Sequence, residues 1–89
     1  MNKARLKTVS EIVERINEAV SDLESSVSDL ESVKEEEEEY FNNIPEALQQ
    51  GEQASRSEQA TSYLDDAIST LNDVVSSAND AVSNLESVE

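Results

Sequence analysis

Residues 20–33, "VSDLESSVSDLESV", contain nearly the same seven-residue unit twice, and residues 82–88, "VSNLESV", nearly repeat it a third time. Apolar residues recur at the first, fourth and seventh positions of such units from Val13 onward, and again from Thr61 to Val88. We call these positions a, d and g. A seven-residue spacing is typical of long α-helices that pack on other helices. Three apolar positions in seven make a stripe wider than a coiled-coil seam, so we expect each helix to contact more than one neighbour.

The apolar pattern stops in the middle of the chain. The unit 34–40, "KEEEEEY", has Lys34 and Glu37 at positions a and d, and the only proline and only glycine follow as Pro45 and Gly51. Pro45 disfavours the helical conformation at Ile44, the residue before it. These residues predict a bend between two helices.

We therefore predict a single all-α domain over residues 1–89. The first helix should run from about residue 8 to 41, a connector from about 42 to 55, and the second helix from about 56 to 88. Capping-box spellings at residues 8–11 and 55–58 mark the two expected helix starts. Within the connector, "PEALQQ" is expected to add one helical turn.

Two long amphipathic helices joined by a connector predict an antiparallel two-helix hairpin. Folding about residue 48 would place Leu71 near Val27 and Leu85 near Val13. A lone hairpin covers only one edge of each apolar stripe. We hypothesise that two hairpins associate as a homodimer, forming a four-helix bundle through the uncovered edges. A different protein covering the same edge is the alternative.

The residue inventory excludes several classes of chemistry. The chain has no cysteine and no histidine, so disulfides, thiolate zinc sites and Cys or His nucleophiles are absent. Consecutive carboxylates at 35–39 point in different directions on a helix, so we predict no metal site there. With no general base and little concavity, we expect neither an enzyme nor a cofactor. No apolar run predicts a membrane span or a signal peptide, and we expect a cytoplasmic protein.

The charge of the chain is strongly one-sided. The formal net charge is −15, from 21 acidic and six basic residues. Lys3, Arg5 and Lys7 supply half of the bases, which leaves the remainder of the chain almost purely acidic. Binding to nucleic acid or to an anionic membrane requires the opposite charge. We therefore expect neither as a partner.

Acidic residues also follow a spatial pattern on the first helix. Helical neighbours three or four residues apart lie about 5–6 Å from one another, a spacing comparable to that of phosphates along a DNA strand. An acidic rod of this kind could fill a basic DNA-binding cleft on another protein. A solvated helix face is the simpler interpretation, but a face built for solubility would mix charges, whereas this one repels itself. The candidate partner-binding residues are Glu11, Glu14, Glu18, Asp22, Asp29, Glu31, Glu35, Glu36, Glu38, Glu39, Tyr40 and Phe41.

The central segment "EEEEEYFNNIPEALQQGEQASRSEQA" resembles one found in small acidic helical proteins encoded by phages and prophages. The likeness covers about the middle third of the chain. The residues that carry it are Glu38, Glu39, Tyr40, Asn43, Ile44, Pro45, Leu48, Gln49 and Arg56. A phage setting implies the cytoplasm of a bacterial host, and it implies an inhibitor of host defence or repair as the function.

Phage inhibitors of uracil-DNA glycosylase are acidic DNA mimics, and some use a Glu-Ser-aliphatic tripeptide. Residues 31–33 and 86–88, both Glu-Ser-Val, resemble that tripeptide. Val33 and Val88 also occupy stripe positions, where a core role is the alternative. Nucleases, restriction enzymes and CRISPR effectors are comparable targets. The alternative function is a structural or assembly protein that acts through homo- or hetero-oligomerisation.

Overall fold

The computed structural model describes all of residues 1–89 and contains two long α-helices joined by a short turn. Helix α1 spans Lys3–Asn43, a 3-10 turn spans Glu46–Leu48, and helix α2 spans Glu52–Glu86. The two helices pack along their length into a rod with Cα extents of 69 × 14 × 14 Å. The prediction of an all-α antiparallel hairpin is therefore confirmed.

The register of the hairpin follows from contacts at its open end and nearer the bend. Val13 and Leu85 line one groove near the open end. Lys34 of α1 pairs with Asp65 of α2 nearer the bend. At the ends of the chain, the Met1 amino group donates to the Glu89 carbonyl at 2.6 Å. Val13, an a position, is thus level with Leu85, a d position, as folding about residue 48 predicts.

Positions a and d form the seam between the two helices. Val13, Val20 and Val27 of α1 and Val82 of α2 are buried a positions. The leucines at d, such as Leu23 and Leu71, are half-buried. Only six of the 89 residues are buried in all. The hairpin by itself therefore has a thin core.

Position g does not join this seam. Ile12, Val33, Tyr40 and Val74, all at g, are 39–48% exposed. Each helix of the hairpin covers only the a and d positions of the other. The wide apolar stripe is therefore divided into a covered part at a and d and an exposed part at g. The core role given above as the alternative for Val33 is therefore not met within the hairpin.

Both helices begin earlier than the capping boxes predicted. The Asn2 side chain caps α1 by accepting from the Arg5 backbone N–H at 2.8 Å. Thr8 lies within α1 and donates its hydroxyl to the Ala4 carbonyl. Helix α2 starts after Gly51, so Ser55 also lies inside a helix. The two capping-box starts are wrong: the Asn2 cap starts α1 five residues earlier, and α2 starts directly after Gly51 without a side-chain cap.

The bend is held by backbone and side-chain hydrogen bonds. Ile44 is extended, at φ −68° and ψ 131°, which ends α1 as Pro45 requires. The Gln49 side chain donates to the Ile44 carbonyl at 3.1 Å. A Cβ on Gly51 would lie 3.1 Å from the Leu48 carbonyl oxygen, so a glycine suits this close approach. The helical turn expected in "PEALQQ" is confirmed as the 3-10 turn.

Candidate functional site

The hairpin offers surfaces rather than an enclosed cavity. Its depressions are open grooves along the helix pair and at the bend. Three surfaces differ in chemistry, and the heptad positions define them. They are the outward side of α1, the side that carries the e positions (one after each d), and the side that carries the g positions.

The outward side of α1 carries the outer acidic row, which is Glu11, Glu14, Glu18, Asp22, Asp29 and Glu36. All six side chains are exposed. The ion pairs of the structure are Lys34–Glu38, Lys34–Asp65 and Arg56–Glu52, so none neutralises a member of this row. Arg15 lies among these residues in sequence but pairs with none of them. The row therefore presents unpaired carboxylates along a continuous helix.

The e positions of both helices share a second side, which we call the e face. Lys34 shows this directly, because its Nζ lies 3.7 Å from Glu38 Oε1 of α1 and 2.5 Å from Asp65 Oδ1 of α2. The hydrogen bond to Asp65 raises the pKa of Lys34, opposed by partial desolvation and assisted by the charges of Asp65 and Glu38. Glu31 and Glu38, two of the predicted partner-binding residues, lie on the e face rather than in the outer row.

The g positions share the opposite side, which we call the g face. Tyr40 of α1 and Gln53 of α2, both g positions, line the same groove at the bend. In an antiparallel pair of helices, the g positions of both helices lie on one side of the a/d seam. The e positions of both helices lie on the other side. The members of the g face are Ile12, Ala19, Ser26, Val33, Tyr40, Gln53, Ala60, Ala67, Val74, Ala81 and Val88.

The predicted partner-binding residues near the bend, between Glu35 and Phe41, are divided among these surfaces. Glu35, Glu36, Glu38 and Glu39 line one shallow and wholly polar groove with Ser32 and Asn42. Tyr40 is 48% exposed on the g face. Phe41 is half-buried at an a position of the seam. Of the two aromatic residues expected to bind a partner here, Tyr40 is the one whose side chain is exposed.

The two Glu-Ser-Val tripeptides occupy different settings. Residues 31–33 lie inside α1, with Glu31 on the e face and Val33 on the g face, so the carboxylate and the valine point to opposite sides. Residues 86–88 lie where α2 ends, and Val88 is half-buried. The two copies therefore do not share one geometry.

No protein-family model, curated protein or solved structure matches the chain. Neither helix has a stretch both long and apolar enough to cross a bilayer. No group of three or more carboxylates is arranged to hold a metal ion.

Sequence reasoning missed two features of the site. It gave Lys34 no partner on the second helix, whereas Lys34 bridges the two helices to Asp65. It also missed the small residues near the bend, where Ala54 and Ser57 are buried and the Ser57 hydroxyl donates to the Glu37 carbonyl at 3.4 Å. Extending the heptad letters back from Thr61 assigns Ala54 to a and Ser57 to d, so the signal was present in the spacing.

Proposed function

We propose that this protein is a non-enzymatic DNA mimic that blocks the basic DNA-binding cleft of a host DNA-processing or defence protein. The observation that carries the proposal is the outer acidic row, whose exposed carboxylates have no basic partner. Such self-repulsion costs stability, and a surface that serves only solubility has no need of it. A partner that supplies Lys and Arg would relieve it.

The dimensions of the rod support this proposal. A net charge of −15 over 69 Å corresponds to one negative charge per about 4.6 Å of length. A single DNA strand carries one per about 3.4 Å and a duplex one per about 1.7 Å of helix axis. The charge density of the rod is therefore nearer to that of a single strand. The candidate targets are uracil-DNA glycosylase, a nuclease or restriction enzyme, and a CRISPR effector.

The test is competition for DNA on a panel of these purified enzymes, measured by fluorescence anisotropy of labelled DNA. The wild-type protein should displace DNA from at least one of them, less effectively as NaCl rises, because the contact joins exposed opposite charges. Replacing Glu14, Glu18, Asp22 and Asp29 with Gln or Asn should weaken inhibition at least tenfold, about 1.4 kcal/mol. These replacements largely preserve the size of each side chain.

A matched control removes four charges elsewhere. Asp66, Asp73, Asp80 and Glu86 of α2 are all exposed, and their Asn or Gln variants change the net charge by the same amount. The control should inhibit nearly as well as wild type. If both variants inhibit like wild type, the outer acidic row is a solvated face and the proposal is overturned.

The second candidate function is assembly, and the g face is the observation that favours it. Four of the large hydrophobic residues exposed on the hairpin lie there. An apolar contact should be indifferent to salt or tighten with it, whereas the mimic should weaken. The salt dependence of binding therefore distinguishes the two candidates.

A further inference from the structure

The g face is the continuous apolar surface of this otherwise acidic rod. Ile12, Val33, Tyr40 and Val74 remain 39–48% exposed on it, and its other members on the two helices are mainly alanines. No carboxylate occupies a g position between residues 12 and 88. Exposed apolar area of this extent is typical of an interaction surface.

The area of the g face matches a stable protein interface. From Ile12 to Tyr40 the face extends 28 residues, or about 42 Å at 1.5 Å per residue. Two helices packed side by side are about 20 Å wide. The resulting area of about 800 Å² is what each partner contributes to an interface of standard size.

We propose that a second copy of this chain covers the g face, forming a four-helix bundle in which α1 of each copy lies against α2 of the other and both bends are at the same end. This inference deepens the assembly candidate and is independent of whether the outer acidic row mimics DNA. A two-fold axis along the rod generates this arrangement.

Side-chain sizes on the g face fit this arrangement. In the register of the hairpin, three g positions of α1 lie at about the same height along the rod as g positions of α2. These pairs are Tyr40 with Ala60, Val33 with Ala67 and Ser26 with Val74. At these three levels the two-fold axis puts the larger side chain of one copy over the smaller one of the other, whereas Ile12 meets Val88 and Ala19 meets Ala81 nearer the open end. Packing of large against small side chains fills a bundle core without voids.

Ser26 can be buried in such an interface without losing a hydrogen bond. Its hydroxyl donates to the Asp22 carbonyl one turn earlier in α1 at 3.0 Å. A buried donor without a partner would cost about 1–3 kcal/mol. Because the bond lies within its own helix, Ser26 presents a small and already satisfied side chain to the partner.

Charges beside the g face are compatible with the same arrangement. Position c flanks g on the outside of each helix, and on α1 it holds Arg15 and the acids Asp22, Asp29 and Glu36. On α2 the c positions carry no carboxylate. They are Arg56, Tyr63, Thr70, Ser77 and Asn84. With α1 against the partner's α2, the acids lie level with the hydroxyls of Ser77, Thr70 and Tyr63, whereas the reversed arrangement would set Asp22 against Asp29 and Arg15 against Glu36.

The first experiment measures mass by light scattering and sedimentation equilibrium between 1 and 500 µM. Wild type should have twice its chain mass of 9.8 kDa, and the dimer should tighten as NaCl rises because salt screens the repulsion between two acidic copies. The variant with Val33→Glu and Val74→Glu should dissociate at least tenfold more readily. A matched control with Ser25→Glu and Ser76→Glu adds the same charge at exposed sites outside the g face and should remain a dimer.

Circular dichroism of both variants tests whether the hairpin stays helical. A wild-type monomer at 500 µM in 0.5 M NaCl would overturn the proposal and leave the g face to a different protein. Equal dimerisation of the two glutamate variants would overturn it as well.

The second experiment tests the arrangement, using the absence of native cysteines. A mixture of Val33→Cys chains and Ala67→Cys chains should form disulfide-linked dimers under mild oxidation, because these positions face each other between copies. Chains carrying Ser26→Cys alone should not cross-link. Efficient cross-linking of Ser26→Cys chains indicates the reversed arrangement and would overturn the one proposed.

Discussion

Lys34 is the one basic residue in the seam of the hairpin, and it links the two helices. Its Nζ lies 2.5 Å from Asp65 of α2 and 3.7 Å from Glu38 of its own helix. A polar residue at a single a position can specify the register of packed helices. Sliding α2 by one heptad would replace Asp65 with Glu58 or Asn72, and a slip that brings Asn72 would remove the charged partner. Lys34 therefore favours the observed alignment over the slip that brings Asn72, although it interrupts the apolar stripe.

Lys34→Gln should lower the free energy of unfolding in a pH-dependent way. The folded state raises the pKa of Lys34 above its ordinary value of 10.5, because the protonated amine is the form that binds Asp65. Its stabilisation is therefore complete below pH 10.5 and is lost as pH rises through the higher folded-state pKa. Urea denaturation of both proteins should show a constant difference from pH 7 to 9 that shrinks above pH 10.5. An unchanged difference in strong alkali would contradict the assigned role.

Leu23→Ala and Leu71→Ala should each lower the free energy of unfolding by roughly 2 kcal/mol, the low end of the range for buried leucines. The reason is that both side chains are half-buried in the hairpin. Ser25→Ala, at an exposed site, is the control and should be neutral or slightly stabilising because alanine has the higher helix propensity. Denaturation at 1 µM measures the values. A leucine variant as stable as the Ser25 control would show that the d positions do not form the seam.

At the scale of the element, α1 is a helix of 41 residues that carries most of the acidic charge. Its first turn contains no acid, so the Asn2 side chain satisfies the open backbone donors there instead. Lys3, Arg5 and Lys7 lie in the first two turns, where positive charge interacts unfavourably with the helix dipole. The start of α1 therefore depends on Asn2.

Asn2→Ala should fray the first turn of α1, at a local cost of about 0.5–2 kcal/mol. Thr8→Ala should leave this turn intact, since Thr8 is inside the helix and does not cap it. Amide hydrogen exchange at residues 5–8 measures the difference. Faster exchange in the Thr8 variant than in the Asn2 variant would show that the helix begins at the capping box after all.

At the scale of the whole molecule, a thin apolar core holds together a chain with a net charge of −15. Excess charge of one sign destabilises a compact state through self-repulsion. The long and narrow shape lessens this repulsion because it separates the charges along 69 Å. The shape of the hairpin and the acidity of the chain are therefore compatible with each other.

Adding NaCl should stabilise the protein. Raising the concentration from 10 mM to 1 M shortens the screening length from about 30 Å to about 3 Å. A gain of about 1 kcal/mol would raise Tm by about 4–8 °C for a chain of this size. Thermal melts at one fixed protein concentration measure the shift, since association also affects Tm. A Tm that falls with NaCl would show that ion pairs, rather than repulsion, dominate the electrostatics.

The sequence alone determined the presence of two long helices, the place of the bend and the antiparallel register, but not where each helix begins. The heptad spacing from Val13 to Val33 and the effect of Pro45 on its neighbour Ile44 involve only residues close together in the sequence. Both therefore predict local structure without knowledge of the tertiary fold. The antiparallel register followed from the position of the bend. The exposure of the outer acidic row was also predictable, because charged side chains off the apolar stripe remain in water.

Only the tertiary structure decided how the stripe and the acids are distributed between surfaces. Val33 and Val27 are both apolar stripe residues, yet one is 47% and the other 6% exposed, because a single partner helix covers a and d but not g. Tyr40 and Phe41 separate for the same reason. The pairing of Lys34 with Asp65 joins residues 31 positions apart, and their proximity exists only once the chain folds back and brings the e positions of both helices to one side.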